Sequence, residues 1–261
     1  RGGGIIFYLG AWVWFLISGC HYPLFFVGLS IVSMLSFVDD IHSLSPLLRL
    51  PLQFIGILLL LCQLVFSLCN GLCATSASFS YIIFFVVIGL IVCTGAMNVF
   101  NFMDGINGIT GGYSLVVLTA ILYTLNSHTM QAGESLAHWV SSLVTITLLA
   151  DVVFCFFNFR PRAKCFAGDV GSVSIAFIIL FSLGFIIVQT RDLSLLSFLV
   201  VYGVDGCLTI IHRLMLHEKI SLPHRKHLYQ IMANELHVPH VAVSSLYMVV
   251  QLICCVWYVA C

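Results

Sequence analysis

The chain has 261 residues, of which 61% are hydrophobic and only 8% carry a charge, and its mean hydropathy is +1.12. Soluble globular proteins are about 45–50% apolar and about 25% charged, so this composition excludes that class and indicates an integral membrane protein. The formal net charge of +0 carries less information than the positions of the charges. Because the chain opens at Arg1 with no methionine and no n-region, we expect an N-terminally incomplete sequence, not a signal peptide.

Nine apolar runs are candidates for membrane-spanning helices, because a helix needs roughly 20 apolar residues to cross a bilayer. They are Ile5–Gly19, Leu24–Val38, Leu52–Cys69, Tyr81–Met97, Tyr113–Leu125, Ala137–Phe157, Val173–Val188, Leu193–Ile211 and Val241–Val259. The shorter runs must extend into their flanking segments, and Gly203 or Gly206 could kink Leu193–Ile211. The pattern predicts an all-α polytopic bundle that forms one domain over residues 1–261.

The connectors between these runs alternate between two sides of the membrane, and the basic residues follow the alternation. Nine of the ten Lys and Arg residues fall on one side, and only Arg191 falls on the other. The positive-inside rule makes the basic side cytoplasmic. That side also receives every polar, motif-like segment: 39–51, 98–112, 158–172 and 212–240. We therefore expect these four segments to form one cytoplasmic site.

Segment 39–51 begins with an acidic pair, Asp39 and Asp40, where an apolar run ends. Adjacent carboxylates repel, so a divalent cation or a cationic substrate group would stabilise them. One of them could also serve as a general base. The competing interpretation is a solvated helix end with ordinary capping residues. Arg49 on the same segment could meet a phosphate.

Segment 98–112 reads NVFNFMDGINGITGG and is unusually polar for a stretch between two apolar runs. Asn98, Asn101 and Asp104 recur every third residue, so a helix would place them on one side. Polar groups at a membrane boundary are costly unless they bind a ligand or one another. Gly105 and Gly108 allow the backbone to approach something closely. The segment is a candidate binding site.

Segment 158–172 combines three cations, Arg160, Arg162 and Lys164, with Phe166 and Asp169. Basic side chains suit phosphates, and a lone carboxylate suits Mg²⁺. Phe166 offers a face on which a nucleobase could stack. A positive-inside anchor explains the three cations equally well.

Segment 212–240 holds six of the ten histidines and four cationic residues. His224 and His227 could bind zinc, but no further ligands stand at a convincing spacing. Histidine and cationic donors such as Arg225 fit a diphosphate better. A basic cytoplasmic loop is the alternative. Two acids within apolar runs, Asp151 and Asp205, fit either a functional role or helix pairing.

Taken together, these segments resemble the polyprenyl-phosphate N-acetylhexosamine-1-phosphate transferase superfamily, of the glycosyltransferase family 4 type. The residues that carry the resemblance are Arg1–Gly4, FVDD at 37–40 with SPLLRL at 45–50, the whole of segment 98–112, FAGDVGS at 166–172 and PHRKHLYQ at 223–230. The resemblance covers nearly the whole chain. It implies transfer of a sugar 1-phosphate from a UDP-N-acetylhexosamine to undecaprenyl phosphate, with release of UMP.

The resemblance also implies roles for individual residues. Asp169 and Asn101 would hold Mg²⁺, with Mn²⁺ as an alternative ion. Asp39 and Asp40 would activate or position the lipid phosphate. The remaining implied roles are uracil contact for Asn107 and Phe166, phosphate binding for Arg49 and His227, and further substrate binding for Asn98, Asp104, Lys164, His224 and Arg225.

Three departures from the family pattern refine this expectation. The His-rich ending reads His227-Leu-Tyr-Gln230, which resembles the branch that starts O-antigen, capsule or cell-wall polysaccharide on a lipid carrier. The TPTMGG and HHHFE runs of the muramoyl-pentapeptide branch are absent, which argues against that substrate. The family's first helix is also absent.

The expected setting is a bacterial inner membrane, with the bilayer and the two substrates as partners and no nucleic acid. The oligomeric state stays open, with a homodimer as one option. A transporter or ion channel with a cation site on the cytoplasmic face is the alternative function, and an inactive scaffold is a third.

Overall fold

The computed structural model describes residues 2–71, 79–127, 134–218 and 225–260. These residues form nine helices of 13 to 26 residues and no strand, which confirms the predicted all-α bundle. The helices are α1 (Ile5–Ile17), α2 (Pro23–Ile41), α3 (Pro46–Gly71), α4 (Phe79–Met103), α5 (Ile109–Asn126), α6 (Glu134–Asn158), α7 (Gly168–Thr190), α8 (Val200–Met215) and α10 (His240–Ala260). A short turn, α9 (Leu228–Gln230), continues into the π-helical residues Ile231–Glu235.

Eight segments of the described chain are long and apolar enough to cross a membrane. The helix α1, with 13 residues, is shorter than such a span. The predicted run Leu193–Ile211 begins as a 3-10 helix, Leu193–Leu199, which passes directly into α8. The sequence suggested a kink at Gly203 or Gly206. In the structure, the irregular part of this span is the 3-10 helix that precedes both glycines.

The helix α7 lies at the centre of the bundle. Its span is 89% buried, and it packs against all six helices that precede it, α1 to α6. By contrast, only 11% of the α4 span and 28% of the α10 span are buried, so these two helices present most of their apolar surface outwards. A helix that is apolar all round is expected in such a central position. The start of α7 is therefore held by its neighbours on every side.

Several helices extend further into the polar segments than apolar periodicity predicts. In segment 98–112, α4 runs to Met103 and α5 begins at Ile109, so the connecting turn contains only residues 104–108. In segment 158–172, α7 begins at Gly168, five residues before the predicted apolar run. Polar side chains in these first and last turns find partners on neighbouring helices, so they do not end the helices.

Candidate active site

The acidic pair lies in the last turn of α2, and Asp40 caps the start of α7. Its Oδ1 accepts a hydrogen bond from the Asp169 backbone N–H at 3.1 Å, and its Oδ2 accepts one from Val170 at 3.0 Å. The first N–H groups of a helix lack partners within the helix, and the helix dipole favours an anion there. Gly168 has a φ of +70°, and a Cβ at this position would stand 2.6 Å from Asp40 Oδ2. Asp40 thus fixes the position of Asp169.

Asp39 points to a different set of partners. Its Oδ1 accepts a hydrogen bond from the Leu44 backbone N–H at 2.6 Å, and its Oδ2 lies 2.8 Å from Arg49 Nη1. The other guanidinium nitrogen, Nη2, lies 3.5 Å from Asp169 Oδ2. Arg49 stands in the first turn of α3 and connects α2 with α7. Arg49 thus brings Asp39 and Asp169 together, and the roles predicted for these residues towards substrates and Mg²⁺ stay predictions.

Asn101 lies near the end of α4 and faces the same point. Its Nδ2 donates to Asp169 Oδ1 at 3.0 Å and to Ser172 Oγ at 3.1 Å. Sequence reasoning gave Ser172 no role, although its position three residues after Asp169 on a helix is a usable signal. Asn98, one turn earlier, donates its side-chain amide to the Thr94 carbonyl at 2.8 Å. Asn98 is thus tied to its own helix, and Asn101 to α7.

Asp104 completes a group of four carboxylates at this end of the bundle. Thr110 Oγ1 donates a hydrogen bond to its Oδ1 at 2.6 Å. Desolvation by the surrounding protein, opposed by this hydrogen bond and reinforced by the charges of Asp169 and Asp40, raises the pKa of Asp104 to about 6. Its carboxyl group therefore titrates close to neutral pH. Arg49 contributes a positive charge among the four acids, so negative charge predominates.

The described residues would not complete the coordination shell of a metal ion by themselves. The chemical type of the available ligands nevertheless suits Mg²⁺. No three His, Cys, Asp or Glu side chains within the described ranges converge in a way that would hold a metal ion. Mg²⁺ is commonly held by one or two carboxylates together with substrate phosphates and water. Asp169, whose side chain is 34% exposed, and the Asn101 amide oxygen are ligands of that kind. The donor set fits an ion that arrives with a diphosphate.

Two buried asparagines hold the loop between α6 and α7 against α5. Asn107 donates from Nδ2 to the Arg160 and Pro161 carbonyls at 3.0 and 3.2 Å. Asn158 accepts from the Gly108 backbone N–H at 2.8 Å and donates to the Cys165 carbonyl at 2.8 Å. Sequence reasoning missed Asn158 because its partners are backbone groups of distant residues. In the structure the Asn107 amide nitrogen already donates to these two carbonyls. The uracil contact assigned to Asn107 stays a prediction.

The loop that these asparagines hold carries exposed groups at its rim. Phe166 is 49% exposed, and Lys164 is also exposed. Arg160 lies over the Phe156 ring, with its guanidinium carbon 4.5 Å from the ring centroid. An exposed aromatic face and an exposed ammonium group beside the acidic cluster are available to a ligand. Their predicted roles in nucleotide and phosphate binding stay predictions.

Segment 225–235 brings His227 to a buried carboxylate on α8. His227 Nδ1 lies 3.4 Å from Asp205 Oδ1 and 3.3 Å from Thr209 Oγ1. Asp205 also accepts hydrogen bonds from the Leu228 backbone N–H at 3.0 Å and from the Tyr247 hydroxyl at 2.7 Å. Asp205 therefore connects α8, α9 and α10, which agrees with the helix-pairing interpretation.

The same segment also rests on the turn that contains Asp104. The Tyr229 hydroxyl donates to the Phe102 carbonyl at 2.7 Å, and a Cβ on Gly105 would lie 2.3 Å from that hydroxyl oxygen. Gly105 is thus required for a close approach, as predicted, and the partner is Tyr229. Arg225 is exposed, and His224 lies outside the described residues.

Asp151 is the second acid that the sequence places within an apolar run. It is fully buried in α6, where Cys155 Sγ lies 3.8 Å from its Oδ1. Its Oδ2 has no hydrogen-bond partner among the described residues. The described contacts therefore do not support a helix-pairing role for Asp151.

The glycines at the start of the chain pack against the first turn of α7. Gly3 and Gly4 donate backbone hydrogen bonds to the Phe166 and Ala167 carbonyls at 2.9 and 3.2 Å. A Cβ on Gly4 would stand 2.2 Å from the Gly171 Cα atom. Only glycine allows the two backbones to approach this closely. The glycine run and FAGDVGS, both part of the resemblance, are therefore neighbours in space.

An apolar groove of about 460 Å³ leads away from the acidic end along the outside of the bundle. It lies between α4 and α8 and is lined by residues such as Ile91, Gly95, Val99, Gly203 and Cys207. Because α4 also carries Asn101, the groove and the carboxylates share a helix.

Comparison with known proteins places this arrangement among enzymes of one family. The family model described as glycosyl transferase family 4 matches residues 22–188. A Bacillus subtilis (strain 168) protein, "Probable undecaprenyl-phosphate N-acetylglucosaminyl 1-phosphate transferase", is 25% identical over 88% of this chain and 64% of its own length. A Yersinia pestis undecaprenyl-phosphate alpha-N-acetylglucosaminyl 1-phosphate transferase is 30% identical over 67% of this chain and 48% of its own length.

A second kind of relative is similar to the same degree. A phospho-N-acetylmuramoyl-pentapeptide-transferase of Dictyoglomus turgidum (strain DSM 6724 / Z-1310) is 28% identical over 66% of this chain and 55% of its own length. The chain thus spans about half to two thirds of the length of these relatives. The matched region, residues 22–188, contains the acidic pair, Arg49, Asn101, Asp104 and Asp169. The chain belongs to glycosyl transferase family 4.

Proposed function

We propose that this protein transfers N-acetylhexosamine 1-phosphate from a UDP-sugar to undecaprenyl phosphate and releases UMP. The product would be the first lipid-linked sugar of a surface or cell-wall glycan. The observation that carries the proposal is the cluster of Asp39, Asp40, Asn101 and Asp169 around Arg49 at one end of a membrane bundle. The family relatives support the same class of reaction.

The proposed reaction joins two anions, so charge neutralisation decides its rate. A phosphate oxygen of the lipid attacks the phosphorus that bears the sugar, and the bond from that phosphorus to the bridging oxygen breaks. The electron pair of this bond leaves with UMP. Phosphoryl transfer of this kind depends mainly on positioning and on stabilisation of the developing charge.

The described residues divide these tasks. Asp169 and Asn101 would hold Mg²⁺, which would neutralise charge on the diphosphate and polarise its phosphoryl oxygens. Asp40 holds the first turn of α7 and so orients Asp169. The Asp39 side chain is 6% exposed and is paired with Arg49. Asp39 is the acid that would position the lipid phosphate, acting through Arg49 when the guanidinium turns towards that phosphate. Exchange of the carboxylate for a phosphate on Arg49 is chemically conservative, because both accept two parallel N–H bonds.

The α4/α8 groove supports a lipid acceptor. An isoprenoid chain is apolar along its whole length, and the groove runs along the largely exposed helix α4 as far as Phe100, the residue before Asn101. The nucleotide would enter from the aqueous side, next to Phe166 and Lys164. From the distribution of Lys and Arg, we infer that this side is cytoplasmic. The bacterial relatives support a bacterial inner membrane as the setting.

A cation pathway through the bilayer is the alternative function, and it requires polar groups along the depth of the membrane. Beyond its first turns, the central helix α7 instead carries buried apolar side chains and one buried hydroxyl, Ser182, which donates to the Ile178 carbonyl of its own helix. This arrangement favours a transferase at one surface over a transporter or channel.

The test is direct transfer by the purified protein in lipid nanodiscs. The assay would combine labelled UDP-N-acetylglucosamine, undecaprenyl phosphate and MgCl₂, and would follow both label in the lipid fraction and UMP. A parallel reaction with UDP-N-acetylmuramoyl-pentapeptide decides between the two kinds of relative. We expect lipid product from the first donor only. Absence of product from a panel of UDP-sugars would reject the transferase.

Asp169→Asn is the matched test of the metal assignment. We expect at least a hundredfold loss of turnover and a weakened dependence on Mg²⁺ concentration. Glu235→Gln removes an exposed carboxylate outside the cluster and should behave as the unmodified protein. An unchanged Mg²⁺ titration in Asp169→Asn would reject the assignment.

A further inference from the structure

A second polar pocket lies at the end of the bundle that faces away from the acidic cluster. The helix α7 starts at the cluster and has 23 residues, so its other end is about 34 Å away at 1.5 Å per residue. Asp192 follows this end directly. A cavity of about 990 Å³ opens there, lined by Asp192, Ser194, Ser197, Tyr123, Trp257 and Tyr258. Its position corresponds to the opposite surface of the bilayer.

The pocket carries the negative charge of Asp192, and Arg191, its basic neighbour in the chain, forms no ion pair with it. Asp192 accepts hydrogen bonds from the Ser194 N–H at 2.9 Å, the Ser194 hydroxyl at 2.5 Å and the Tyr258 hydroxyl at 2.8 Å. Hydrogen bonds from Ser194 and Tyr258 lower the pKa of Asp192, so it is ionised at neutral pH. Within the described ranges, no Lys, Arg or His forms an ion pair with it, as judged from the salt bridges of the structure.

The rim of the pocket has the character of a membrane interface. Tyr123 and Trp257 are 59% and 72% exposed, and tyrosine and tryptophan side chains concentrate at the level of lipid headgroups. Their ring faces attract cations. Ser197 lines the pocket, and its hydroxyl oxygen is buried and has no partner among the described residues; rotation about χ1 would bring the hydroxyl to a phosphate or ester oxygen. The negative charge of Asp192 and the aromatic rim of the pocket both favour a ligand that carries a cationic group next to a hydrogen-bond acceptor.

Two apolar grooves meet this pocket from opposite faces of α10. One, of about 540 Å³, lies between α5 and α10 and shares Tyr123 and Val259 with the pocket. The other, of about 550 Å³, lies between α8 and α10 and shares Val200 and Cys254 with it. On α10 the first groove uses Leu252 and Val256, and the second uses Leu246, Val250 and Cys254. Each set recurs at a spacing of four, and the two sets lie on different faces of the helix.

We propose that this pocket binds a two-chain phospholipid with a primary-amine headgroup, whose chains lie in the two grooves that flank α10. The ammonium group donates hydrogen bonds to Asp192, and the Ser197 hydroxyl meets the phosphate or ester region. An anionic headgroup would set like charges against each other at Asp192. A quaternary ammonium group keeps the charge but has no N–H to donate. One of its grooves adjoins the proposed acceptor groove between α4 and α8, since both are lined by Val200 and Val204, but the headgroup pocket at Asp192 lies at the opposite end of α7 from Asp169.

The test is lipid binding by the purified full chain, measured by native mass spectrometry and by thermal unfolding. The probes are phosphatidylethanolamine, phosphatidylglycerol and phosphatidylcholine with identical acyl chains. We expect phosphatidylethanolamine to bind at least tenfold more tightly than the other two and to raise the unfolding temperature. Equal binding of the three lipids would overturn the proposal.

Asp192→Asn removes the charge and keeps an acceptor oxygen for the Ser194 N–H and hydroxyl at Oδ1, while the Tyr258 hydroxyl, which donates to Oδ2, loses its acceptor. We expect this variant to lose the tenfold preference, while Glu235→Gln keeps it. Leu252→Trp is the second variant: Leu252 is 49% exposed, and a larger side chain there would block one groove without entering the core. It should weaken phosphatidylethanolamine binding. Retained preference in both variants would reject the site, and since the readout is binding, this result is independent of transferase activity.

Discussion

At the scale of single residues, Asp39 and Asp40 are neighbours in the chain with different tasks. Both carboxylate oxygens of Asp40 accept hydrogen bonds from backbone N–H groups of α7. In Asp39, one oxygen accepts from the Leu44 N–H and the other is paired with Arg49. The capping and the functional interpretations of the pair therefore both apply, one to each residue. Sequence reasoning could not divide them, because the donors to Asp40 belong to residues 129 and 130 positions away.

We expect Asp40→Asn to lower stability as well as activity. The amide has one acceptor oxygen, so it would leave one of the two N–H groups, that of Asp169 or Val170, without its acceptor. An unsatisfied donor at such a site costs about 1–3 kcal/mol, which corresponds to a decrease of several degrees in Tm. Thermal unfolding in detergent measures it, with Glu235→Gln as the control. An unchanged Tm would mean that the cap is dispensable.

Asp104 provides a prediction about pH. Its pKa of about 6 is above the ordinary value of 3.8, so the folded protein holds this proton more tightly than the unfolded chain does. Stability from this group is therefore greatest at low pH and is lost as pH rises towards 6. We expect Asp104→Asn, which keeps an acceptor for Thr110, to stabilise the substrate-free protein at pH 7.5 by up to about 3 kcal/mol.

The measurement for Asp104 is the difference in Tm between Asp104→Asn and the unmodified protein at several pH values. The difference should be largest at pH 7.5, should shrink as the pH falls below about 6, and should vanish below 3.8, where Asp104 is protonated in both the folded and the unfolded chain. A difference independent of pH would show that the charge of Asp104 is not responsible.

At the scale of elements, the site depends on the position of the first turn of α7. Asp40 binds it from α2, Asn101 from α4, Arg49 from α3, and Gly4 packs against it from the other side. A shift of this one turn would displace Asp169 from all its partners together. Rigid elements hold functional groups more accurately than loops do.

Two glycines in helices can test how tightly the first turn of α7 is packed. A Cβ on Gly171 would lie 2.7 Å from the Gly4 Cα atom, whereas a Cβ on Gly95 would meet nothing within 4 Å. We expect Gly171→Ala to destabilise the protein by about 1–3 kcal/mol, because overpacking forces the backbones apart. Gly95→Ala should be neutral or stabilising by up to about 1 kcal/mol. Comparable Tm values for the two variants would contradict the close contact.

Much of the element level was accessible from sequence. Apolar runs located all nine long helices, and alternation of the connectors brought Asp40, Arg49, Asn101 and Asp169 to one end. The exact start of α7 was not accessible, because Gly168 and Asp169 are neither apolar nor good helix formers. They are helical because Asp40 caps them, which is a tertiary effect. Asn158 was missed for the same reason, since its partners are the Gly108 N–H and the Cys165 carbonyl.

At the scale of the whole molecule, the two ends differ in charge and in their inferred surroundings. Cys20 is exposed just after α1, at the end away from the acidic cluster. If the cluster faces the cytoplasm, a membrane-impermeant maleimide should label Cys20 in intact cells when the other ten cysteines are replaced by serine, and Cys20→Ser in that background should remove the label. Arg225→Cys in the resulting cysteine-free background should react only after permeabilisation. Labelling of Arg225→Cys in intact cells would reverse the proposed orientation.

The groove between α4 and α8 has a consequence for how rates must be expressed. Under the proposed function, one substrate arrives from a three-dimensional solution and the other by lateral diffusion in a two-dimensional sheet. The concentration that the enzyme senses for the lipid is then its mole fraction in the membrane, not its amount per litre. Added detergent or inert lipid would slow the reaction at constant total acceptor, while dilution with buffer would leave the lipid term unchanged.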